Sequence, residues 1–330
     1  MNTGGLYLHE GVLFVAGYDK PGSIRAFDLD GRRLDPGAVL ERTGSGSAPA
    51  ISGLAVDADR KLWVADSGSG LVRCLSLFGK EAGSFAPQGK PLEQPLGGQL
   101  GGQLGGQLGV NAPIDVALAQ SSKYTGVFAA IPGRRVGAVA LYLPDGSLLQ
   151  TLRSEGDPQA PFRRVVRIAT HGELLFVVEA GARRVQVFRA GEFHYSFPAG
   201  RLGESSVASE GRPRALASVG DGRLVMAVEP VGEGDNECEV GADRNSGLFV
   251  LSERGGAEAR LAGPGCGEGE IDHPVDVVVE SVLAWEHESQ GDLDRRRRVV
   301  VLDQDGGRIQ VFSLAGRCFG SFYLEDGGSG

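Results

Sequence analysis

The 330-residue sequence is short of the side chains that build soft-metal sites: it has 4 Cys, 5 His, 2 Met and 2 Trp. Cys74, Cys238, Cys266 and Cys318 are widely scattered with no Cys-x-x-Cys pair, so no zinc or dithiol motif is written in the chain. Buried free thiols are the expectation, in keeping with a reducing compartment. Long apolar runs are missing, and the opening stretch MNTGGLYLHEGVLFVAG has no basic segment ahead of an apolar one. Neither a membrane-spanning helix nor a secretory leader is expected, and the location read from this is intracellular, in the cytoplasm. Positive charge is also in deficit, with 33 Lys and Arg against 42 Asp and Glu for a net charge of -9. That argues against a general polyanion-binding surface and still allows a local basic patch. No apolar face at helical spacing is found.

What the sequence has in quantity is turn formers, 53 Gly and 16 Pro, together with 41% hydrophobic residues. Such a chain can bury a sizeable core, and it reads as many short strands joined by tight turns. The strands recur in a pattern. ISGLAVDADRKLWVADSGSGLVRCLSLFGKEAGSF, VVRIATHGELLFVVEAGARRVQVFRAGEFHYSF and the segment ending RRVVVLDQDGGRIQVFSLAGRCFGSF share it, with weaker copies elsewhere. Each copy is an apolar strand, a turn, a second strand that often ends in an acid, a third strand, a glycine turn and a last strand. Gly31, Gly79, Gly146, Gly191, Gly255 and Gly316 mark that glycine turn at intervals of 48, 67, 45, 64 and 61 residues. A period of about 40–50 residues with four strands per unit specifies an all-β, six-bladed β-propeller of four-stranded antiparallel blades. The blades are expected at about 1–47, 48–109, 110–161, 162–209, 210–270 and 271–324, as one monomeric domain spanning 1–324, with 325–330 a flexible tail.

Asp66, Glu179, Glu229 and Asp303 end second strands, where a carboxylate can accept N–H bonds from the neighbouring turn. Arg135, Arg184 and Arg308 open third strands at matching positions. Recurrence in several blades points to structural turn acids with arginine partners, because a catalytic site needs only one copy.

The segments GLAVDADRKLWVADSGSGLVRCLSLFGK and EAGARRVQVF resemble NHL repeats, and the resemblance runs from about residue 6 to 324. Blade 3, FAAIPGRRVGAV, departs from the pattern by lacking the acid, and blade 1 has Gly17 in its place. The resemblance implies the propeller fold and leaves activity open. In the amidating lyases of this type, histidines that follow the proline of inner strands hold zinc, but Ile114, Arg214 and Val275 stand there in this chain. Lactonase-like propellers hold calcium in the channel. Asp115 and Asp276 imitate part of such a site, while Arg167 at the same level opposes a cation. No cofactor is expected, calcium being the one left open.

Alignment of the inner strands puts Gly5, Gly53, Asp115, Arg167, Ala215 and Asp276 at one level of the channel's top mouth, with Ser52 and Arg214 just before it. Ser52, Asp115, Arg167, Arg214 and Asp276 are therefore the candidate binding residues, for a polar or mixed-charge ligand or as a salt-bridged plug. Arg134 and Arg183 are candidate basic residues of the top rim. The function expected is a non-catalytic scaffold for a protein or peptide. The alternatives are an RNA-binding domain, as the resemblance allows, or a calcium-dependent hydrolase. The segment with Gly-Gly-Gln-Leu written three times (residues 97–108) reads as an enlarged link between blades 2 and 3 on the top rim. The acidic loop with Glu233, Asp235, Glu237, Glu239 and Asp243 lacks a calcium-loop ladder. Arg295 to Arg298 follow Glu286, Glu288, Asp292 and Asp294, which reads as an internally neutralised hairpin, with Trp285 packed at a blade edge.

Overall fold

The computed structural model describes residues 5–16, 22–39, 48–76, 80–87, 112–120, 125–131, 138–156, 162–199, 211–229, 246–281, 288–303 and 307–324. Its strands form six sheets in sequence order around a central channel. Blade 1 is β1 (Gly5–His9), β2 (Val12–Ala16), β3 (Ser23–Phe27) and β4 (Arg33–Val39). Blade 2 is β5 (Ile51–Val56), β6 (Lys61–Asp66), β7 (Leu71–Ser76) and β8 (Glu81–Phe85). Blade 3 is β9 (Asp115–Gln120), β10 (Thr125–Ile131), β11 (Ala138–Tyr142) and β12 (Leu148–Leu152). Blade 4 is β13 (Val165–His171), β14 (Leu174–Glu179), β15 (Arg184–Arg189) and β16 (Glu192–Pro198). Blade 5 is β17 (Arg212–Ser218), β18 (Arg223–Glu229), β19 (Gly247–Ser252) and β20 (Ala257–Pro264), with β21 (Glu270–Ile271) added parallel to β20. Blade 6 is β22 (Pro274–Val279), β23 (Arg298–Asp303), β24 (Arg308–Ser313) and β25 (Cys318–Tyr323). Among the described residues, neither the first nor the last sheet borrows a strand from the other end of the chain. The ring closes by packing blade 6 against blade 1.

The core consists of six apolar clusters, one at each blade interface. Strand alternation explains how one strand serves two of them. On β14, Leu174, Phe176 and Val178 face blade 5 and Leu175 and Val177 face blade 3. A blade buried on both faces needs apolar residues at both parities. Each such side chain contributes about 1.5–3 kcal/mol by leaving water.

The glycine period has a physical cause. Gly31, Gly146, Gly191, Gly255 and Gly316 all have φ between +83° and +87°, a left-handed conformation that glycine adopts without strain. Four of them also lie under a side chain from the last strand of the preceding blade. A Cβ on Gly255 would sit 2.1 Å from the Phe197 ring, and one on Gly31 would sit 2.6 Å from Phe322. The turn of each blade is thus a seat for its neighbour.

Two sequence expectations meet a different outcome, and several others fall on residues outside those described. Cys266 is disulfide-bonded, whereas Cys74 and Cys318 are free, so the expectation of free thiols fails at Cys266. The arginine run does not form a hairpin. Gln290–Arg296 is a short helix, α1, capped by Ser289, whose side chain accepts from the Asp292 N–H. The expected charge neutralisation is present, in part within the segment (Arg296–Glu288, 2.7 Å; Arg295–Asp292, 2.8 Å) and in part across to blade 5 (Arg223–Asp294, 2.6 Å; Arg297–Asp221, 2.8 Å). The Gly-Gly-Gln-Leu link, the acidic loop of blade 5, Arg134, Arg135 and Trp285 lie outside the described residues. Among the described residues no helix is long and apolar enough to cross a membrane.

Candidate functional site

Inner strands enter the channel from its top, where links between blades and the turns from second to third strands also lie. In four blades the inner strand slips register next to its ring-level residue, at Ile51/Gly53, Val165/Arg167, Pro213/Ala215 and Pro274/Asp276. Each slip leaves one residue outside the ladder (Ser52, Val166, Arg214 and Val275), as a β-bulge does, and re-aims the residue that follows.

Arg167 occupies the centre of this level. Its Nη1 donates to the Ser52 carbonyl of blade 2 at 2.7 Å and its Nη2 to the Val275 carbonyl of blade 6 at 3.3 Å. Both acceptors belong to bulge residues. Nε lies 3.3 Å from Asp276 Oδ1, and Nη1 lies 3.8 Å from Asp115 Oδ1. The carboxylates in turn hold the next blade's backbone: Asp115 Oδ2 accepts from the Ile168 N–H at 2.8 Å, and Asp276 Oδ2 accepts from the Leu6 N–H at 2.8 Å. Small residues on the other three blades make room. Gly5, Gly53 and Ala215 complete the level, and a Cβ on Gly53 would sit 2.3 Å from Asp115 Oδ1.

Asp115, Arg167 and Asp276 are 5%, 7% and 8% exposed. Burial pushes the Asp115 carboxyl up to about 7, opposed by the Arg167 guanidinium and reinforced by the Asp276 carboxylate. Burial likewise raises Asp276, again opposed by Arg167. Two acids around one guanidinium leave a buried excess of negative charge, which a single proton on the pair removes. Below this level the channel encloses about 400 Å³, lined by all six inner strands and reaching His171, Ser218 and Ser281 at its lower end.

Of the other candidates, Ser52 joins this group through its carbonyl, and Arg214 is engaged elsewhere. Arg214 stands on a bulge and pairs with Glu229 of its own blade, Nε to Oε2 at 3.0 Å, with Arg212 3.9 Å from the same carboxylate. Ser52 is buried, and its hydroxyl has the Ala65 and Pro113 carbonyls as alternative acceptors, each at 3.3 Å. Arg183 lies in the β14–β15 turn on the rim.

The second-strand acids act as turn anchors. Asp66 accepts from the Ala50 and Ser69 N–H groups and from Arg73 Nε at 2.8 Å. Glu179 accepts from the Arg163 N–H, Arg184 Nε and Gln186 Nε2. Asp303 accepts from the Asp272 and His273 N–H groups and from Arg308 Nη2. In blade 2 the arginine stands two residues later than in blades 4 and 6, since Leu71, Arg184 and Arg308 are the residues opposite the acids. Side chains two apart share a face, so Arg73 reaches the same carboxylate position that Gln186 reaches in blade 4. That period of two was the available signal. Among the described residues no three His, Cys, Asp or Glu side chains converge as a metal site.

No protein-family model matches the sequence, and no curated protein matches it. Solved structures do. Virginiamycin B lyase from Staphylococcus aureus superposes with a TM-score of 0.55 at 11% identity, covering 99% of this chain and 86% of that one. Hydrazine synthase of Kuenenia stuttgartiensis gives 0.55 at 10% identity, covering 94% and 76%. A chain of a nidogen/laminin complex gives 0.54 at 15% identity, covering 94% and 92%. At these identities the likeness is one of fold. Both enzymes and partner-binding proteins are found on it, so the fold alone does not choose between them.

Proposed function

We propose that the chain is an interaction module of the NHL-repeat type that holds a protein or peptide partner on its top face and performs no chemistry of its own. The observation that carries this reading is the engagement of Arg167. Its guanidinium lies between Asp115 and Asp276 and donates to carbonyls of blades 2 and 6. The charged groups that converge at the mouth therefore satisfy one another and the backbone, and they brace the ring. For the same reason the calcium reading is disfavoured: a cation between these carboxylates would meet a guanidinium already seated there. A rigid ring with its mouth filled offers partners its rim, where links and turns stand on a scaffold that does not yield.

The test is selection of binders from a displayed random-peptide library on the intact protein, mapped by amide hydrogen exchange. The reading expects protection in the top links and turns, such as 162–165 and 180–184. Binders that protect only the lower turns or the channel strands would contradict it.

A further inference from the structure

We infer that the top of blade 4 is a docking site for a short acidic segment of a protein partner, held by Arg163, Arg164 and Arg183. The inference rests on the top-face reading above and names the chemistry of the partner.

The three arginines come from two segments that are bonded together. The Gly181 N–H donates to the Arg163 carbonyl at 3.1 Å, and the Ala180 N–H donates to the Arg164 carbonyl at 3.0 Å. Glu179 fixes the arrangement from below by accepting from the Arg163 N–H. Arg163 and Arg164 are exposed, and Arg183 is half-exposed. Neighbouring arginines are matched by acids: Arg184 by Glu179 and Glu155, and Arg212 and Arg214 by Glu229. Among the described residues no carboxylate lies within ion-pair distance of Arg163 or Arg164. In a chain of net charge -9, this is a local reversal of sign.

Backbone geometry supplies a second, independent observation. Arg183 is the last residue of its turn, and Gly70 and Gly307 hold the same place in blades 2 and 6. All three are left-handed, with φ of +73° at Gly70, +60° at Gly307 and +50° at Arg183. Blade 4 therefore carries a long cationic side chain where the backbone favours glycine. Arg164, in the adjoining link, is left-handed as well, with φ of +53°. Arg164, exposed, and Arg183, half-exposed, thus both stand on left-handed backbone within one patch, at a cost in local strain. By sequence, Arg134 takes the place of Arg183 in blade 3.

A peptide fits this patch better than a nucleic acid does. Single-stranded RNA recognition relies on exposed aromatic rings for base stacking. The exposed large apolar side chains among the described residues are Leu148, Leu149, Phe319 and Tyr323, all on the outer strands β12 and β25. Exposed guanidinium forks on Arg163 and Arg164, with Arg183 on the turn bonded to their segment, suit two or three carboxylates on an extended segment.

The experiment is fluorescence anisotropy with the full chain and a labelled octapeptide of alternating Asp and Glu, its Asn/Gln counterpart, and labelled oligouridylate. The acidic peptide should bind at least tenfold more tightly than the uncharged one. The double variant R163E/R164E should weaken it by about tenfold or more, since each exposed contact is worth up to about fivefold. R183G should weaken binding several-fold while the thermal midpoint holds or rises, because glycine relieves the left-handed turn. This pairing separates loss of contact from loss of fold. R189E, on the lower side of the same blade, lowers the net charge by as much as either single exchange of the double variant and should leave binding unchanged. Acidic-peptide binding that survives R163E/R164E, or fails to occur, overturns the inference. So does tighter binding of oligouridylate that the same variant abolishes. If library-selected peptides still protect the top rim but carry no acids, only this inference falls; if no peptide protects the rim, the broader reading falls with it.

Discussion

The Asp276 carboxylate accepts the backbone N–H of Leu6 at 2.8 Å, across the seam where the last blade meets the first. Asp115 makes the same bond to Ile168 between blades 3 and 4. Among the described residues, two of the six interfaces thus carry a buried carboxylate clasp in addition to apolar packing, and the seam is one of them. Asp276→Ala leaves the Leu6 amide without this acceptor and one side of Arg167 without its counter-charge, and should cost about 3 kcal/mol in urea unfolding. Asp276→Asn keeps an acceptor oxygen and should cost clearly less.

Stability against pH should carry the signature of Asp115. Its folded pKa is raised to about 7, above the ordinary carboxylate value, so the folded state binds this proton first. Through this group alone, stability falls as pH rises from about 4 to about 7, by at most about 4 kcal/mol. Asp221 acts in the opposite sense: its carboxyl is lowered to about 2 by the Arg223 and Arg297 guanidiniums against the effect of burial. Its contribution is present above about 4 and is lost as pH falls toward 2. The comparison is therefore differential. Asp115→Asn should be most favourable relative to the wild type at pH 8 and progressively less so at pH 5, read from paired urea titrations.

Gly255 and Gly316 separate turn strain from interblade contact. Both are left-handed, φ +83° and +87°, but a Cβ would lie 2.1 Å from Phe197 at Gly255 and no closer than 3.9 Å to Leu261 at Gly316. Gly316→Ala should cost about 1 kcal/mol from the left-handed backbone alone. Gly255→Ala should cost about 2–4 kcal/mol, because the Phe197 ring must also move. Equal losses in thermal unfolding would refute the seating role of the turn.

Asp66 and Arg73 form a fully buried pair at 2.8 Å, and Asp66 also holds the Ala50 and Ser69 amides. Asp66→Ala should cost about 3 kcal/mol, since it removes the buried one of the two carboxylates that Arg73 pairs with and leaves the partly exposed Glu81 as its counter-charge. The loss should spread to the link ahead of β5, seen as faster amide exchange at Ala50 and Ser67.

The fold was legible because its repeat is written in side chains that the packing requires. The turn glycines sit under neighbouring blades, and Asp66, Glu179 and Asp303 anchor links to turns. The grouping of Asp115, Arg167 and Asp276 was legible from strand alignment as well. The placement of Arg214 was not, because a bulge breaks the alternation that fixes side-chain direction, and Arg214 is itself the bulge residue. The helix α1 had a signal in Ser289 and Asp292, a capping pair three residues apart, which the dense charges of the segment masked. The disulfide at Cys266 had none, since spacing between distant cysteines does not report their approach.

The central claim is that partners meet the rim of blade 4 and leave the Asp115–Arg167–Asp276 group in place. Amide hydrogen exchange of the full chain with saturating acidic octapeptide tests it most directly. The account predicts slowed exchange in 162–165 and 180–184, with the amides of Leu6 and Ile168 unchanged. Slowed exchange confined to the inner strands, or a change at Leu6 and Ile168 with none in the blade 4 rim, would contradict it.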